Sequence, residues 1–368
     1  MKPAHLATLA IVSTLFSTIL HADQPDTRHG AVEGEPVYYA LEGGMTLTWQ
    51  HAFREPVDDE FSGSIDLVAT FPLRKGTITL YLEGSTTPEG NGVGSWFPEA
   101  NADLGTALDD DGQGRIQVSA LHYNVDTGNS VLTLGLLDAT GFLDRSGVAN
   151  DETRQFLGTS FVNNPTIEFP DYHLAAAWHY QASSNRPGFT VLAGSSHGLG
   201  DNEGNYGRLS ELDARNKGLF AALELYGYAS GTTWRLGAWH NGASHPNLDG
   251  RGNSSNRGVY TSVDFDLHDQ KWNIRAGWAD PSVSLARGFI SLSTEQGRDH
   301  WHWGAAFSRT WASAGTDASD ILHTEVYACY EVFPGLEISP DLQWIRNSGF
   351  IRGRGDAWIA GIRTTWLF

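Results

Sequence analysis

The feature that most restricts this chain is an apolar–polar alternation with a period of two, repeated in segments of about ten residues. Phe61-Ser-Gly-Ser-Ile-Asp-Leu-Val-Ala-Thr-Phe71 sets Phe61, Ile65, Leu67 and Phe71 on one face, with Ser62, Ser64, Asp66 and Thr70 on the other. After a turn at 72–76, Thr77-Ile-Thr-Leu-Tyr-Leu-Glu83 repeats the scheme. Successive side chains of a strand point to opposite sides, so each segment is a strand with one apolar and one polar face. Further strand pairs are expected around short turns at 126–129, 184–188, 229–232, 267–270, 295–299 and 334–337. The connections between pairs are long and polar, near 53–60, 86–113, 140–170, 199–216, 243–256, 312–320 and 347–355.

Short and long connections stay in step along the whole chain, which a soluble β-sandwich has no reason to maintain. The pattern predicts an all-β fold: a transmembrane antiparallel β-barrel of about sixteen strands, with short periplasmic turns and long extracellular loops. In the last strand Trp358, Ala360, Ile362, Thr364, Trp366 and Phe368 share one face, and the chain stops at an aromatic residue. Outward apolar positions bounded by aromatic girdles are what a lipid-facing strand needs. The terminal Phe resembles the sorting signal of outer-membrane barrels.

Composition first suggests a soluble protein, with a net charge of −19 and mean hydropathy −0.30. A barrel removes the conflict, because only alternate residues of each strand face lipid. The acid excess argues against nucleic-acid binding, which needs a basic face. A lone cysteine, Cys329, excludes an intrachain disulfide and a Cys-rich metal centre. Met1-Lys2, the apolar run Leu6 to Leu20 and the small Ala22 read as a signal peptide over 1–22. A short periplasmic segment over 23–36 and one barrel domain over 37–368 follow, placed in the outer membrane of a Gram-negative bacterium.

Two segments carry a family likeness. Ala149-Asn-Asp-Glu-Thr-Arg-Gln-Phe-Leu-Gly-Thr-Ser-Phe-Val-Asn-Asn-Pro-Thr-Ile-Glu-Phe-Pro-Asp-Tyr172 resembles the loop segment of the carbohydrate-selective porins of the OprB type. Pro340-Asp-Leu-Gln-Trp-Ile-Arg-Asn-Ser-Gly349, with the closing strand to Phe368, resembles the end of the same family. The resemblance implies an outer-membrane diffusion channel for sugars whose pore is narrowed by a loop. Where that family carries a Gly-Lys pair before the loop, this chain has Gly135-Leu136-Leu137-Asp138.

The segment 140–170 carries Asp144, Arg145, Asp151, Glu152 and Arg154 beside Phe142, Phe156, Leu157, Phe161 and Val162. A solvated loop has little use for so many apolar residues, so it is expected to fold into the barrel mouth as the constriction. Strand parity turns Arg235, Arg275, Arg287 and Arg363 into the lumen, together with Asp66, Glu83, Glu224, Asp264, Glu325 and Asp341. An inward Arg can fork sugar hydroxyls, and the rings of Tyr81 and Trp239 offer faces for a sugar. Many lumen charges are also expected simply to pair across the wall.

After Lys2 only Lys75, Lys217 and Lys271 remain, which argues against a lysine-built phosphate pore. Asp109-Asp110-Asp111 is misspaced for an EF-hand. Gly194-Ser-Ser196-His197-Gly198 fits G-x-S-x-G without the strand–turn–helix that motif needs, and His300-Trp-His302 lacks an evident third metal ligand. No catalytic residue, cofactor or metal is therefore expected. The expected partners are outer-membrane lipid and small sugars or other hydrophilic solutes, with a homotrimer left open. The competing functions are a less selective or ion-permeable porin, an outer-membrane barrel hydrolase, and an adhesive or structural barrel.

Overall fold

The computed structural model describes residues 40–183, 186–200, 205–210 and 218–368. The expected signal peptide, the segment 23–36, residues 37–39, turn residues 184–185 and much of 199–216 lie outside the described residues.

Sixteen strands form one closed sheet. They are β1 (Ala40–Ala52), β2 (Glu60–Leu73), β3 (Gly76–Ser85), β4 (Ile116–Asp126), β5 (Ser130–Leu137), β6 (His173–Tyr180), β7 (Gly188–Ser195) and β8 (Leu219–Ala229). There follow β9 (Thr232–Pro246), β10 (Asn253–Leu267), β11 (Gln270–Ala279), β12 (Ala286–Arg298), β13 (Trp301–Ala312), β14 (Ile321–Phe333), β15 (Leu336–Arg346) and β16 (Asp356–Leu367). Each strand pairs antiparallel with its sequence neighbours, and β1 pairs with β16 to close the ring, so no sheet edge is left open. At the seam the Gly43 N–H donates to the Phe368 carbonyl and the Phe368 N–H to the Gly43 carbonyl, both at 2.9 Å. A Cβ on Gly43 would come within 2.5 Å of the Phe368 ring, so the closing aromatic residue needs glycine opposite it.

Alternation sorts the side chains. Leu47, Phe61, Ile65, Leu223, Leu236, Ile274, Leu292, Phe307, Val326, Leu342 and Ile362 face outward and are exposed. Trp49, Phe53, Trp278 and Trp358 mark the long-loop end of this band, and Trp301, Tyr330, Phe333, Trp366 and Phe368 the short-turn end. Rings at both rims form the aromatic girdles of a spanning barrel.

The wall is uneven. Strands β5, β6 and β7 have 8 residues each, whereas β9 and β10 have 15. The loop expected over 243–256 accordingly shrinks, because pairing in the tall hairpin runs on to Asn253↔Pro246. An eighth outer connection at 280–285, absent from the expected set, completes the alternation.

Two parity-based expectations need correction. Arg287 is exposed, not luminal: a bulge between Ala286 and Gly288 inserts one residue and turns that side chain outward. Trp239 does face inward, but it is 3% exposed in a cluster with Leu143, Ile167, Phe220 and Tyr260, leaving no ring face for a sugar.

Candidate functional site

The lumen is filled on one side by the connection between β5 and β6, residues 138–172, called L3 below. Its apolar residues find the surface they need: Phe156 lies against Phe161 and edge-on to Tyr327 of β14, and Phe156, Leu157 and Phe161 are buried. A single helical turn, Thr159–Val162, lies against the inner wall. A Cβ on Gly158 would sit 2.3 Å from the His323 ring and 2.7 Å from the Glu325 carboxylate, so glycine lets the loop backbone reach the wall.

Polar anchors come from strands β8 to β16. Glu224 accepts the Asp144 N–H at 2.8 Å and the Tyr260 hydroxyl at 2.9 Å. Asp264 accepts the Ser146 hydroxyl at 2.7 Å while paired with Arg235 at 3.1 Å. Arg275, 0% exposed, donates to the carbonyls of Phe161, Val162 and Asp144 and to Asn150 Oδ1, and lies 3.4 Å from the Asp144 carboxylate. Glu325 accepts the N–H groups of Leu157 at 2.7 Å and Gly158 at 2.8 Å. Arg363 donates to the carbonyls of Glu152 at 2.5 Å and Gln155 at 2.8 Å, and Arg154 forks Glu337. Ser160 Oγ lies 3.0 Å from Ser308 Oγ. A non-repetitive backbone can enter a barrel only if its polar groups are satisfied there, and these inward charges do that.

Arg235, Arg275, Arg363 and Glu224, expected to line the lumen, thus hold L3 in place. Asp341 is bound to Gln343, itself holding the Ala100 carbonyl. Among the L3 candidates Asp144 and Arg154 are anchors, Arg145 lies half-buried beside Glu224, and Asp151 accepts three hydrogen bonds from Thr153 and Arg154.

The opposite wall differs. Asp66 accepts the Tyr81 hydroxyl at 2.6 Å, and Glu83 accepts Ser119 at 2.6 Å and Gln117 at 3.3 Å. Asp103, in the 86–115 connection called L2, accepts Ser64 Oγ at 2.9 Å. Tyr81, Ser119, Gln117 and Ser64, which hold these three carboxyls, are all neutral.

Two chambers flank L3. The outer, about 560 Å³, is lined by L2 and L3 residues including Thr106, Asp138, Thr140, Asn150, Glu152, Asp171 and Tyr172. The inner, about 400 Å³, is lined by Asn150, Asp151, Arg154, Gln155, Lys271, Glu295 and His302 among others. Asn150 belongs to both, so the strip Asn150–Glu152 stands between them. Both volumes fall in the range of about 300–1,000 Å³ that holds small ligands.

Burial sets the charge state of this strip. Burial, reinforced by Asp151, Asp103 and Asp66, pushes the Glu152 carboxyl up to about 8. Burial likewise takes Asp103 up to about 8, against the Ser64 hydrogen bond. Asp144 reaches about 7 because burial outweighs the attraction of Arg275. Burial also raises Asp138, hydrogen-bonded to Thr140.

Sequence reasoning missed Asp103, Asp138, Asn150 and Tyr172. Tyr172 closes the quoted loop segment, and its φ of 45° is uncommon for a bulky residue. That turn sets its ring 6.1 Å from Tyr81. The missing metal ligands for His302 do exist: His302, Cys329 and Glu337 bring donor atoms within 4.8 Å of one another. Arg154 already forks Glu337, however, and its permanent charge opposes a cation there. Ser196 accepts the Gly218 N–H at 2.8 Å, and among the described residues only a four-residue 3-10 turn, Asn205–Arg208, follows it before β8, so the strand–turn–helix of a G-x-S-x-G site is not seen there.

Residues 94–368 match the family described as carbohydrate-selective porin, OprB family. The chain belongs to that family. Its porins are outer-membrane channels for passive diffusion, and the closed sixteen-stranded barrel matches porin structures. Among solved structures, OprB of Pseudomonas putida superposes with a TM-score of 0.70 at 12% identity, covering 90% of this porin and 94% of that chain. A variant porin of Rh. blastica superposes at 0.58 with 14% identity, covering 90% and 100%. An uncharacterized protein of Aquifex aeolicus (strain VF5) is 39% identical over 72 residues, 20% of this chain and 22% of that protein.

Proposed function

We propose that this porin passes small neutral carbohydrates down their gradient through the gap between L3 and the β2–β5 wall, at the level of Asn150–Glu152. The observation that carries the reading is the shared Asn150: two ligand-sized chambers, one toward each end of the lumen, meet at one strip of L3. On the open side Tyr81, Tyr172, Asp66, Glu83 and Asp103 supply ring faces and hydrogen-bond acceptors suited to hydroxyl-rich solutes. The protein acts as a channel and not as an enzyme, in the outer membrane of a Gram-negative bacterium, with lipid around its apolar band. Swelling of liposomes carrying the purified protein tests this. Pentoses and hexoses should enter faster than disaccharides and than amino acids of similar size. Equal rates for sugars and similarly sized charged solutes would instead support a less selective porin.

A homotrimer fits the low wall, because eight-residue strands fall short of the roughly 9–11 residues that a lipid-facing strand needs. Sedimentation in mild detergent checks it, and a monomer at all concentrations would reject it.

A further inference from the structure

The basic groups of the inner wall are committed to building. Arg235 is paired with Asp264, Arg275 with Asp144 and four loop acceptors, Arg154 with Glu337, and Arg363 with two loop carbonyls. Asp138, Glu152 and Asp171 line the outer chamber, and no Lys, Arg or His does so among its described residues. The inner chamber is mixed, with Lys271, Arg154, Arg298 and His302 beside Asp151, Glu295 and Asp299. A solute entering from outside therefore meets acid first, and meets it where the passage is pinched.

Glu152 is the one acid that both lines the outer chamber and belongs to the strip between the chambers. Its place is fixed through the backbone: Arg363 holds its carbonyl, and Thr365 of β16 donates to the next carbonyl, that of Thr153. The backbone is clamped while the carboxyl faces the chamber.

We propose that the Glu152 carboxyl is the charge-selecting group of the channel, rejecting anionic sugars such as sugar acids and sugar phosphates while admitting neutral and amino sugars. This rests on the channel reading above and goes beyond it, since a carbohydrate channel can equally be indifferent to charge or favour anions. The charges facing Glu152 are Asp151 on L3, Asp103 on L2, Asp66 on β2, and the Arg363 guanidinium of β16, which is turned to the backbone carbonyl. Three acids outweigh one committed cation. With the carboxyl lifted to about 8, the filter is mostly neutral at pH 6 and mostly charged at pH 9, so cation preference grows with pH.

The test is the reversal potential of the full-length protein in planar bilayers under a KCl gradient, at pH 6 and pH 9. The wild type should prefer K⁺ over Cl⁻, more strongly at pH 9. Glu152→Gln should lower the pH 9 permeability ratio about 25-fold, about fivefold for each ion in opposite senses, the size expected for removing one unit charge roughly 4 Å from the ion path in water. Glu152→Asp should keep the preference, and Asp109→Asn, on the exposed part of L2, should leave it unchanged. In swelling assays at pH 9 glucosamine should outpace glucuronate in the wild type, with the difference narrowed in Glu152→Gln. Conductance without cation preference at pH 9, or a ratio unaltered in Glu152→Gln, would overturn this inference and leave the channel intact. Absence of any conductance would overturn the channel reading and this inference with it.

Discussion

The two sides of the lumen spend their charges differently. Along β8–β16, Arg235, Arg275, Arg363, Glu224, Asp264 and Glu325 are turned into structure, each bound to L3 or to a partner that is. Along β2–β4 and L2, Asp66, Glu83 and Asp103 hold only hydroxyl and amide partners. Both sets point inward on alternating strands, so facing alone does not decide a role. What separates them is the kind of partner: L3 backbone groups and opposite charges on one side, neutral hydroxyls and amides on the other. L3 covers one side, and the pathway proposed above runs along the other.

The sharpest way to break this contrast is to release L3. Arg275→Ala removes a fully buried cation, freeing the carbonyls of Asp144, Phe161 and Val162 and stranding the Asp144 carboxyl, at a cost of about 3–5 kcal/mol. Heat-modifiability gels should still show a folded barrel with a lower melting temperature, and bilayer recordings should show larger, noisier single-channel currents. Currents of wild-type size would mean that L3 does not narrow the pore. Phe156→Ala should cost a similar about 3–5 kcal/mol by emptying the site between Phe161 and Tyr327.

Glu325→Gln should cost less, about 1–3 kcal/mol, because one amide oxygen replaces two carboxylate oxygens that accept the Leu157 and Gly158 N–H groups. A modest drop in melting temperature with wild-type conductance is expected. On the open side, Asp66→Asn leaves an acceptor for Tyr81 and should change stability by less than about 1 kcal/mol. Its effect should appear in sugar flux, measured by swelling. A mutation there that unfolded the barrel without touching flux would erase the distinction between the two sides.

Acid should tell them apart as well. The Asp144 carboxyl, raised to about 7 in the folded barrel, favours the folded state when protonated. Its contribution is present at low pH and is lost as pH climbs through about 7, so L3 should be held slightly less firmly at pH 8 than at pH 5. Protease nicking of L3 measured across that range would show it, with faster cleavage at pH 8.

Much of this was legible in the sequence, for identifiable reasons. Period-two alternation and the in-step turns report the barrel directly, because lipid and water impose opposite demands on the two faces of every strand. Parity also set Arg235, Arg275, Arg363, Glu83 and Glu224 inward. It failed at Arg287, where a bulge shifts the count by one. The apolar residues of L3 announced that the loop would be buried, and Phe156, Leu157 and Phe161 are. Sequence could not say which wall the loop would take, since its contacts join residues more than a hundred positions apart, as between Asp144 and Arg275. For the same reason Trp239 looked free for a sugar although Leu143 and Ile167 cover it. Nothing in Asn101-Ala-Asp103 marks Asp103 as luminal; it arrives there because L2 folds inward and Ser64 meets it.

The central claim is that L3 lies inside the barrel against β8–β16, and one cross-link tests it most directly. Ser160 of L3 and Ser308 of β13 have hydroxyl oxygens 3.0 Å apart. Ser160→Cys with Ser308→Cys, made in Cys329→Ser so that no other thiol competes, should form an intrachain disulfide under mild oxidation in the outer membrane. Single-channel conductance should stay at the wild-type value, because the bond fixes the loop where it already rests. Folded barrels that leave both thiols free, or a cross-linked channel whose conductance collapses, would contradict the account.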